Sequence, residues 1–231
     1  MDDACEPEVL ENTYRNFAYI NRVVSRWHGL YKHYLRPLAA KTLATKTRPL
    51  ELLDIGFGGG DVIAQISSWA ERDGVDIHVH AIDNDQRALE YVTKHLELPN
   101  VTFEHAASRD VVARGQTFDV VISNHLLHHL DESSLLALCE DSCRLSRHWV
   151  LHNDLERSAL AYAGFGMVTA PLFRRSFIRE DGLISIRRSF SQAELAHLAP
   201  AGWQVNRRFP YRLLLTYQHS HDAQEEHADA T

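Results

Sequence analysis

Along this chain the apolar positions alternate between a spacing of about two and a spacing of about 3.6, the signature of strands interleaved with helices. Short apolar runs at 50–55, 77–82, 101–105, 118–123 and 149–152 read as buried strands. Between them, Val62, Ile63, Ile66, Trp69 and Ala70 share one helical face. Ala88, Leu89, Val92 and Leu96 share a second, and Leu135, Leu138, Cys139 and Ser142 a third. Strands separated by helices of this length predict right-handed βαβ units and a doubly wound, mostly parallel α/β sheet. Runs at 203–208 and 211–217, with Pro210 between them, predict two more strands and an antiparallel ending, seven strands in all.

Three segments stand outside that rhythm. Residues 1–46 precede the first strand and carry Tyr14, Phe17, Tyr19, Trp27, Tyr31 and Tyr34 at roughly helical spacing, which predicts an N-terminal helical cap on the upper rim of the sheet. The main domain then runs over 47–218. Within it, 156–190 is much longer than the usual two to six residue connection and reads as a lid. Ser191 and Glu194 form a capping box that opens a helix through Leu198. The tail, 219–231, is polar and reads as flexible.

Composition narrows the class without naming a function. The 231 residues are 45% apolar and 24% charged, the balance of an ordinary globular protein. Acids exceed bases by 31 − 24 = 7, so a mildly acidic surface offers no footprint for nucleic acid. No run approaches the roughly 18 apolar residues that a membrane span needs. The opening Met1-Asp2-Asp3-Ala4-Cys5-Glu6 is acidic, unlike a signal peptide, and three cysteines cannot all pair. The expectation is a cytoplasmic protein, monomer or homodimer.

The informative stretch is Leu52-Leu53-Asp54-Ile55-Gly56-Phe57-Gly58-Gly59-Gly60-Asp61, which leaves a strand and opens a helix. Glycines let the backbone turn with positive φ and approach a ligand closely. A dinucleotide fingerprint counted from Gly56 demands a glycine at position 61, which is Asp61; counted from Gly58 it demands one at position 63, which is Ile63. The pattern is instead an acid, Asp54, two residues before the first of three alternating glycines. It resembles the first motif of the class I S-adenosylmethionine-dependent methyltransferases, over about residues 50–152. The resemblance implies a Rossmann-like fold with S-adenosyl-L-methionine as cofactor, its methionine part cradled by Gly56, Gly58 and Gly60 and its ammonium end held by Asp54. A tight βα turn with a helix cap at Asp61 is the plain structural alternative.

Later motifs extend the resemblance. Asp83 ends the second strand 83 − 60 = 23 residues after Gly60, near the roughly 20 expected of a ribose-binding acid, and Asn84 is its neighbour. A carboxylate accepts both ribose hydroxyls at once. After the third strand, where many relatives carry an adenine-binding Asp, this chain has Ala106-Ala107-Ser108. Adenine recognition would then fall to the backbone near Ala107 or to the Ser108 hydroxyl, with Asp110 read as a solvated loop residue. In the fourth motif Asn124 and His125 would line the cofactor and acceptor pocket. His125, with an ordinary pKa near 6.5, is a candidate general base, weighed against simple packing. The pair His128-His129 reads as packing.

Weaker signals complete the inventory. Asp154, in His152-Asn153-Asp154, is a candidate catalytic group at the sheet's carboxyl edge. Cys139 and Cys143 lack further ligands nearby and read as core thiols, so no metal site is expected. Phe173-Arg174-Arg175-Ser176-Phe177, with Arg179, Arg187 and Arg188, makes the lid basic, either as a solvated face or toward a carboxylated acceptor or a carrier protein. Tyr14, Tyr19 and Asn21 would close from above. The function implied is methyl transfer to a small molecule, with oxygen of an aromatic or polyketide-like metabolite favoured over nitrogen or carbon. A cofactor-binding protein of this fold without catalysis is the other reading.

Overall fold

A computed structural model describes residues 25–46, 48–162 and 178–219. Its seven strands are β1 (Leu50–Ile55), β2 (Ile77–Asp83), β3 (Val101–His105), β4 (Phe118–Asn124), β5 (Ser146–Leu155), β6 (Gln204–Arg208) and β7 (Arg212–Gln218). They form one sheet in the order β3-β2-β1-β4-β5-β7-β6. The pairs among β1 to β5 are parallel, while β7 runs antiparallel between β5 and β6. The doubly wound α/β expectation and its antiparallel last strand are therefore what the chain folds into. The strand order reverses between β1 and β4, and ligands of open α/β sheets bind at such a point, outside the carboxyl ends of the strands.

Helices cover both faces. Among the described residues, α1 (Trp27–Leu30), a π-helical segment (Tyr31–Leu35) and α2 (Arg36–Lys46) precede β1. The crossovers carry α3 (Asp61–Asp73), α4 (Gln86–His95), α5 (Ser108–Ala113) and α6 (Glu132–Leu145), and α7 (Ile178–Arg188) and α8 (Gln192–Leu198) follow β5. Local chemistry sets their ends. Gly74 in the left-handed region terminates α3, Asp85 accepts from Arg87 N–H to start α4, and Asp131 accepts from Ser134 N–H to start α6. Ser191 and Glu194 cap α8 reciprocally, as expected.

Two apolar clusters sandwich the sheet. One joins Leu50, Leu52, Val79, Val120, Ile122 and Leu151 to α3, α4 and the N-terminal helices; the other joins Leu53, Ile82, Val121 and Leu215 to α5, α6 and α8. Of the described N-terminal residues, the first turn reaches the rim, where Trp27 Nε1–H donates to Asn124 Oδ1. The run then descends one face: Tyr31 O–H donates to Asp73, and Tyr34 packs edge-on against Trp149 at 5.0 Å. Trp27, Leu30, Tyr31, Leu35 and Ala39 are all buried, and that apolar stripe needs a face to cover. Tyr14, Phe17, Tyr19, Asn21, the basic run 173–177 and the tail beyond 219 lie outside the described residues.

Candidate active site

The glycine turn between β1 and α3 has the geometry that its composition demands. Gly56, Gly58 and Gly60 sit at φ +79°, +53° and +71°. A Cβ at Gly60 would lie 2.5 Å from Leu96 Cδ1, so that glycine is needed for packing as well as for its backbone angle. Gly56 N–H donates to Ile82 O at 2.8 Å, and Gly58 N–H donates to Asp83 Oδ2 at 2.9 Å. Asp83 Oδ1 also accepts from Asp85 N–H at 2.9 Å. The turn after β1 is thus tied to the tip of β2, which brings Asp54 and Asp83 to one crevice.

Among the described residues no cationic side chain pairs with either acid. Asp54 is buried and accepts no hydrogen bond among the described residues; burial, then Asp83 and Asp61, hold its carboxyl well above the ordinary range. Burial also raises Asp83, against the opposing pull of its two backbone hydrogen bonds. Asn84 is exposed beside the two acids, its carbonyl accepting from His105 Nε2.

Register places a row of polar side chains on one face of the carboxyl edge. Asp54 pairs with Ala81 and Ile122, Asn124 with Asn153, and Leu155 with Arg212. Side chains alternate along a strand, so Asp83, Asp54, Asn124, Asn153 and Arg212 all project to the same side. The row runs from two acids to a cation. Arg212 was not singled out from sequence; its one signal is an arginine heading a run of three leucines. It is fully buried, and burial depresses its pKa to about 10. Its Nε–H donates to Asn153 Oδ1 at 3.3 Å, its Nη2 to Asn124 Oδ1 at 2.8 Å and to Asn153 O at 3.4 Å, and its Nη1 to His125 Nε2. Asn153 Nδ2–H in turn donates to Ser25 O at 2.8 Å.

That contact corrects the general-base expectation for His125. Arginine has no acceptor, so the imidazole Nε2 must offer its lone pair. Burial and the adjacent guanidinium push the His125 pKa well below 6.5. A ring whose basic nitrogen already accepts from a cation is not poised to take a proton.

Asp154 is corrected too. Its Oδ2 accepts from His128 N–H at 3.0 Å, and its Oδ1 from His128 Nδ1 at 2.7 Å and Leu155 N–H at 2.6 Å. Both partners are buried, and although burial alone would raise the carboxyl, its interaction and hydrogen bond with His128 hold it low. The pair anchors the turn after β4, so His128 packs as expected and Asp154 faces inward rather than toward an acceptor.

The third motif also differs in detail. Asp110, read as a solvated loop residue, lies in α5, where its Oδ2 accepts from Ala107 N–H at 2.9 Å. The Ser108 hydroxyl donates to Asp141 at 2.6 Å. Ala107 N–H is therefore already satisfied, while Ser108 Oγ keeps its acceptor lone pairs. Elsewhere, Cys139 is buried and Cys143 half-buried, and burial raises their thiols to about 12 and about 11. A cavity of about 520 Å³, lined by Arg157, Tyr162, Ile186 and Arg187, lies in the excursion after β5, apart from this row.

Comparison with known proteins gives the geometry its context. The fold is that of the class I S-adenosylmethionine-dependent methyltransferases. The plantazolicin methyltransferase BpumL, solved with S-adenosylhomocysteine, superposes at a TM-score of 0.55 with 14% identity, covering 91% of this chain and 93% of that one. The DszA carbon methyltransferase matches at TM-score 0.55 and 16% identity, over 87% of this chain and 56% of that one. The methyltransferase domain of bacterial CtHen1 matches at 0.52 and 13%, over 79% and 96%. At these identities the likeness is one of fold. No curated protein matches the sequence. Residues 52–148, which carry the crevice from β1 into β5, match the family model of a methyltransferase domain. What this chain shares with these proteins is the fold, together with a methyltransferase-domain match over residues 52–148.

Proposed function

We propose that this protein transfers the methyl group of S-adenosylmethionine to an oxygen of a small aromatic or polyketide-like molecule. In this reading 1–46 is the helical cap, 47–218 the catalytic domain with 156–190 as its lid, and the protein works in the cytoplasm. The bound cofactor supplies an electrophilic methyl on a sulfonium. The residues fit such a ligand: Asp54 is buried and Asp83 half-buried, neither has a cation among the described residues, and the cofactor's ammonium and sulfonium are cations. Asp54 faces the ammonium through the turn at Gly56, Gly58 and Gly60. Asp83, with Asn84 beside it, receives the ribose hydroxyls, and Ser108 with the backbone at Ala107 borders the adenine. Asn124 stands between cofactor and acceptor.

The observation that carries the oxygen assignment is the cationic end of the polar row. An alkylamine acceptor is protonated at neutral pH and would be repelled by the buried Arg212 guanidinium, and a neutral aniline gains nothing from it, whereas an oxygen that sheds its proton is attracted to it. Calorimetric titration with S-adenosylmethionine, S-adenosylhomocysteine and NADH, followed by turnover on a panel of phenols and anilines, tests the reading. Tight binding of the sulfur compounds and methylated phenols is the expected result. Binding of NADH alone, or methylated anilines alone, would overturn it.

A further inference from the structure

The site holds a histidine that is fixed in one tautomer and spends neither nitrogen on a proton acceptor of the protein. Since Arg212 donates to His125 Nε2, the ring proton of the neutral imidazole sits on Nδ1. Nδ1 has no hydrogen-bond partner among the described residues, and the ring is half-buried at the crevice. The backbone is committed to this placement: His125 has φ +58°, a left-handed conformation uncommon for a residue with a Cβ, and its N–H donates to Asn153 O at 3.0 Å. Backbone strain of this kind tends to collect where a side chain must be aimed.

We propose that His125 is a hydrogen-bond donor, through Nδ1–H, to the acceptor's reacting oxygen, which binds as its anion, and that Arg212 is the positioning residue that sets this tautomer. The substrate class that follows is a hydroxyl acidic enough to ionise in the site, a phenol or an enol. This rests on the oxygen-acceptor reading given above. The hydroxyl proton passes to water as the acceptor settles. The oxygen then forms the O–C bond while the S–C bond breaks, and that electron pair remains on sulfur. No side chain takes a proton in the transfer step, which agrees with a site whose one histidine at the acceptor end cannot act as a base. Among the described residues, the charged and titratable groups around the ring are Arg212 from β7, Asp154 from β5, and His128 and His129 from the turn after β4. The turn pair His128 and Asp154 is satisfied internally, so Arg212 is the cation in contact with the ring.

The test combines spectroscopy with substitution on the full chain. Nitrogen-15 spectra of histidine-labelled protein, with S-adenosylhomocysteine bound, should show His125 with a protonated Nδ1 and a bare Nε2, unchanged across roughly pH 5.5 to 8. In Arg212→Met, and more mildly in Arg212→Lys, the His125 signals should begin to titrate or to mix tautomers. A wild-type ring that protonates near 6.5, or one carrying its proton on Nε2, overturns the proposal without any variant having to fold. Kinetics supply the second arm. Asparagine tolerates the left-handed backbone and offers a donor, so His125→Asn should keep activity on a phenol within about 10-fold, whereas His125→Ala should lose about 100-fold in kcat. Equal losses in both would mean the ring serves as a base and would overturn the donor role. The expected ring state together with methylated anilines alone would instead overturn the oxygen reading, so the two failures are separable.

Discussion

Strands β1 and β4 each carry acids or amides near both ends, and the two edges of the sheet treat charge in opposite ways. At the amino edge, Asp119 near the start of β4 is fully buried and fully partnered. Its oxygens accept from Arg48 at 2.6 and 2.7 Å, from Arg147 at 2.9 Å and from Glu51 N–H at 2.9 Å. Arg147 also donates to Glu51 at 2.7 Å and to Thr117 O at 2.6 Å. At the carboxyl edge, among the described residues, Asp54 at the far end of β1 has no partner, Asp83 has only backbone donors, and Arg212 donates only to neutral groups. A buried charge is costly unless it is paired. The paired edge serves stability, and the unpaired edge holds charge in reserve for a ligand.

The sharpest way to break this contrast is at Asp119. Replacing it with alanine leaves Arg48 and Arg147 facing each other without their shared anion, and should cost about 3–5 kcal/mol of stability while leaving the cofactor affinity of the folded fraction unchanged. Burial would raise the Asp119 carboxyl, but the hydrogen bonds from Arg48, Glu51 N–H and Arg147 overcome it and hold it at about 2. A folded pKa below the unfolded 3.8 means that this stabilisation is complete above about pH 4 and is lost as pH falls toward 2. The shift corresponds to about 2 kcal/mol. Denaturant melts at pH 7, 4 and 2.5 should show the gap between wild type and Asp119→Asn shrinking on acidification. A constant gap would mean the cluster is not electrostatic.

At the carboxyl edge the same kind of change should act on binding. Asp83→Ala removes the acceptor proposed for two ribose hydroxyls and also frees Gly58 N–H. Charged hydrogen bonds contribute roughly 1.5–3 kcal/mol each, so affinity for S-adenosylhomocysteine should fall by about 100-fold or more with little change in melting temperature. Titration calorimetry measures it; an unchanged affinity would show that the ribose is held elsewhere.

How much of this was legible in the chain follows from which interactions are local. The glycine turn, Asp54 and Asp83 lie within 30 residues of one another, and their spacing suffices to place them together. Strand β3 was readable to the residue because its run is bounded by turn residues. Strand β5 was read as 149–152 but runs over Ser146–Leu155, since Ser146, Arg147, Asn153 and Asp154 are polar residues whose partners, His219, Asp119, Asn124 and His128, lie far along the chain. Helix α5 was missed: six residues headed by Ser108-Arg109-Asp110 carry too little periodicity. The Arg212–His125 contact joins positions 87 apart and exists only because β7 inserts beside β5, a neighbour relation that spacing does not encode. His125 therefore stood open between base and packing until the guanidinium beside it was placed.

The finest test of the contrast is Asp54→Asn, because the two edges predict opposite signs. A structural acid loses stability when neutralised; an acid held unpaired for a ligand gains it. Burial and the neighbouring Asp83 and Asp61 raise the Asp54 pKa above its unfolded value, so ionising it as pH rises from about 4 progressively destabilises the free protein. Asparagine has nearly the same shape and no charge, so the variant should be more stable than wild type at pH 7, by about 1 kcal/mol, and the difference should vanish near pH 3. The same substitution should weaken S-adenosylmethionine by about 10-fold, since the ammonium loses its counter-charge. Binding to the wild type should also release protons as the cation draws Asp54 into its ionised form, which appears as a binding enthalpy that depends on the buffer's ionisation heat. A destabilised Asp54→Asn, or a buffer-independent enthalpy in both proteins, would place Asp54 with Asp119 among the structural charges and remove the distinction between the edges.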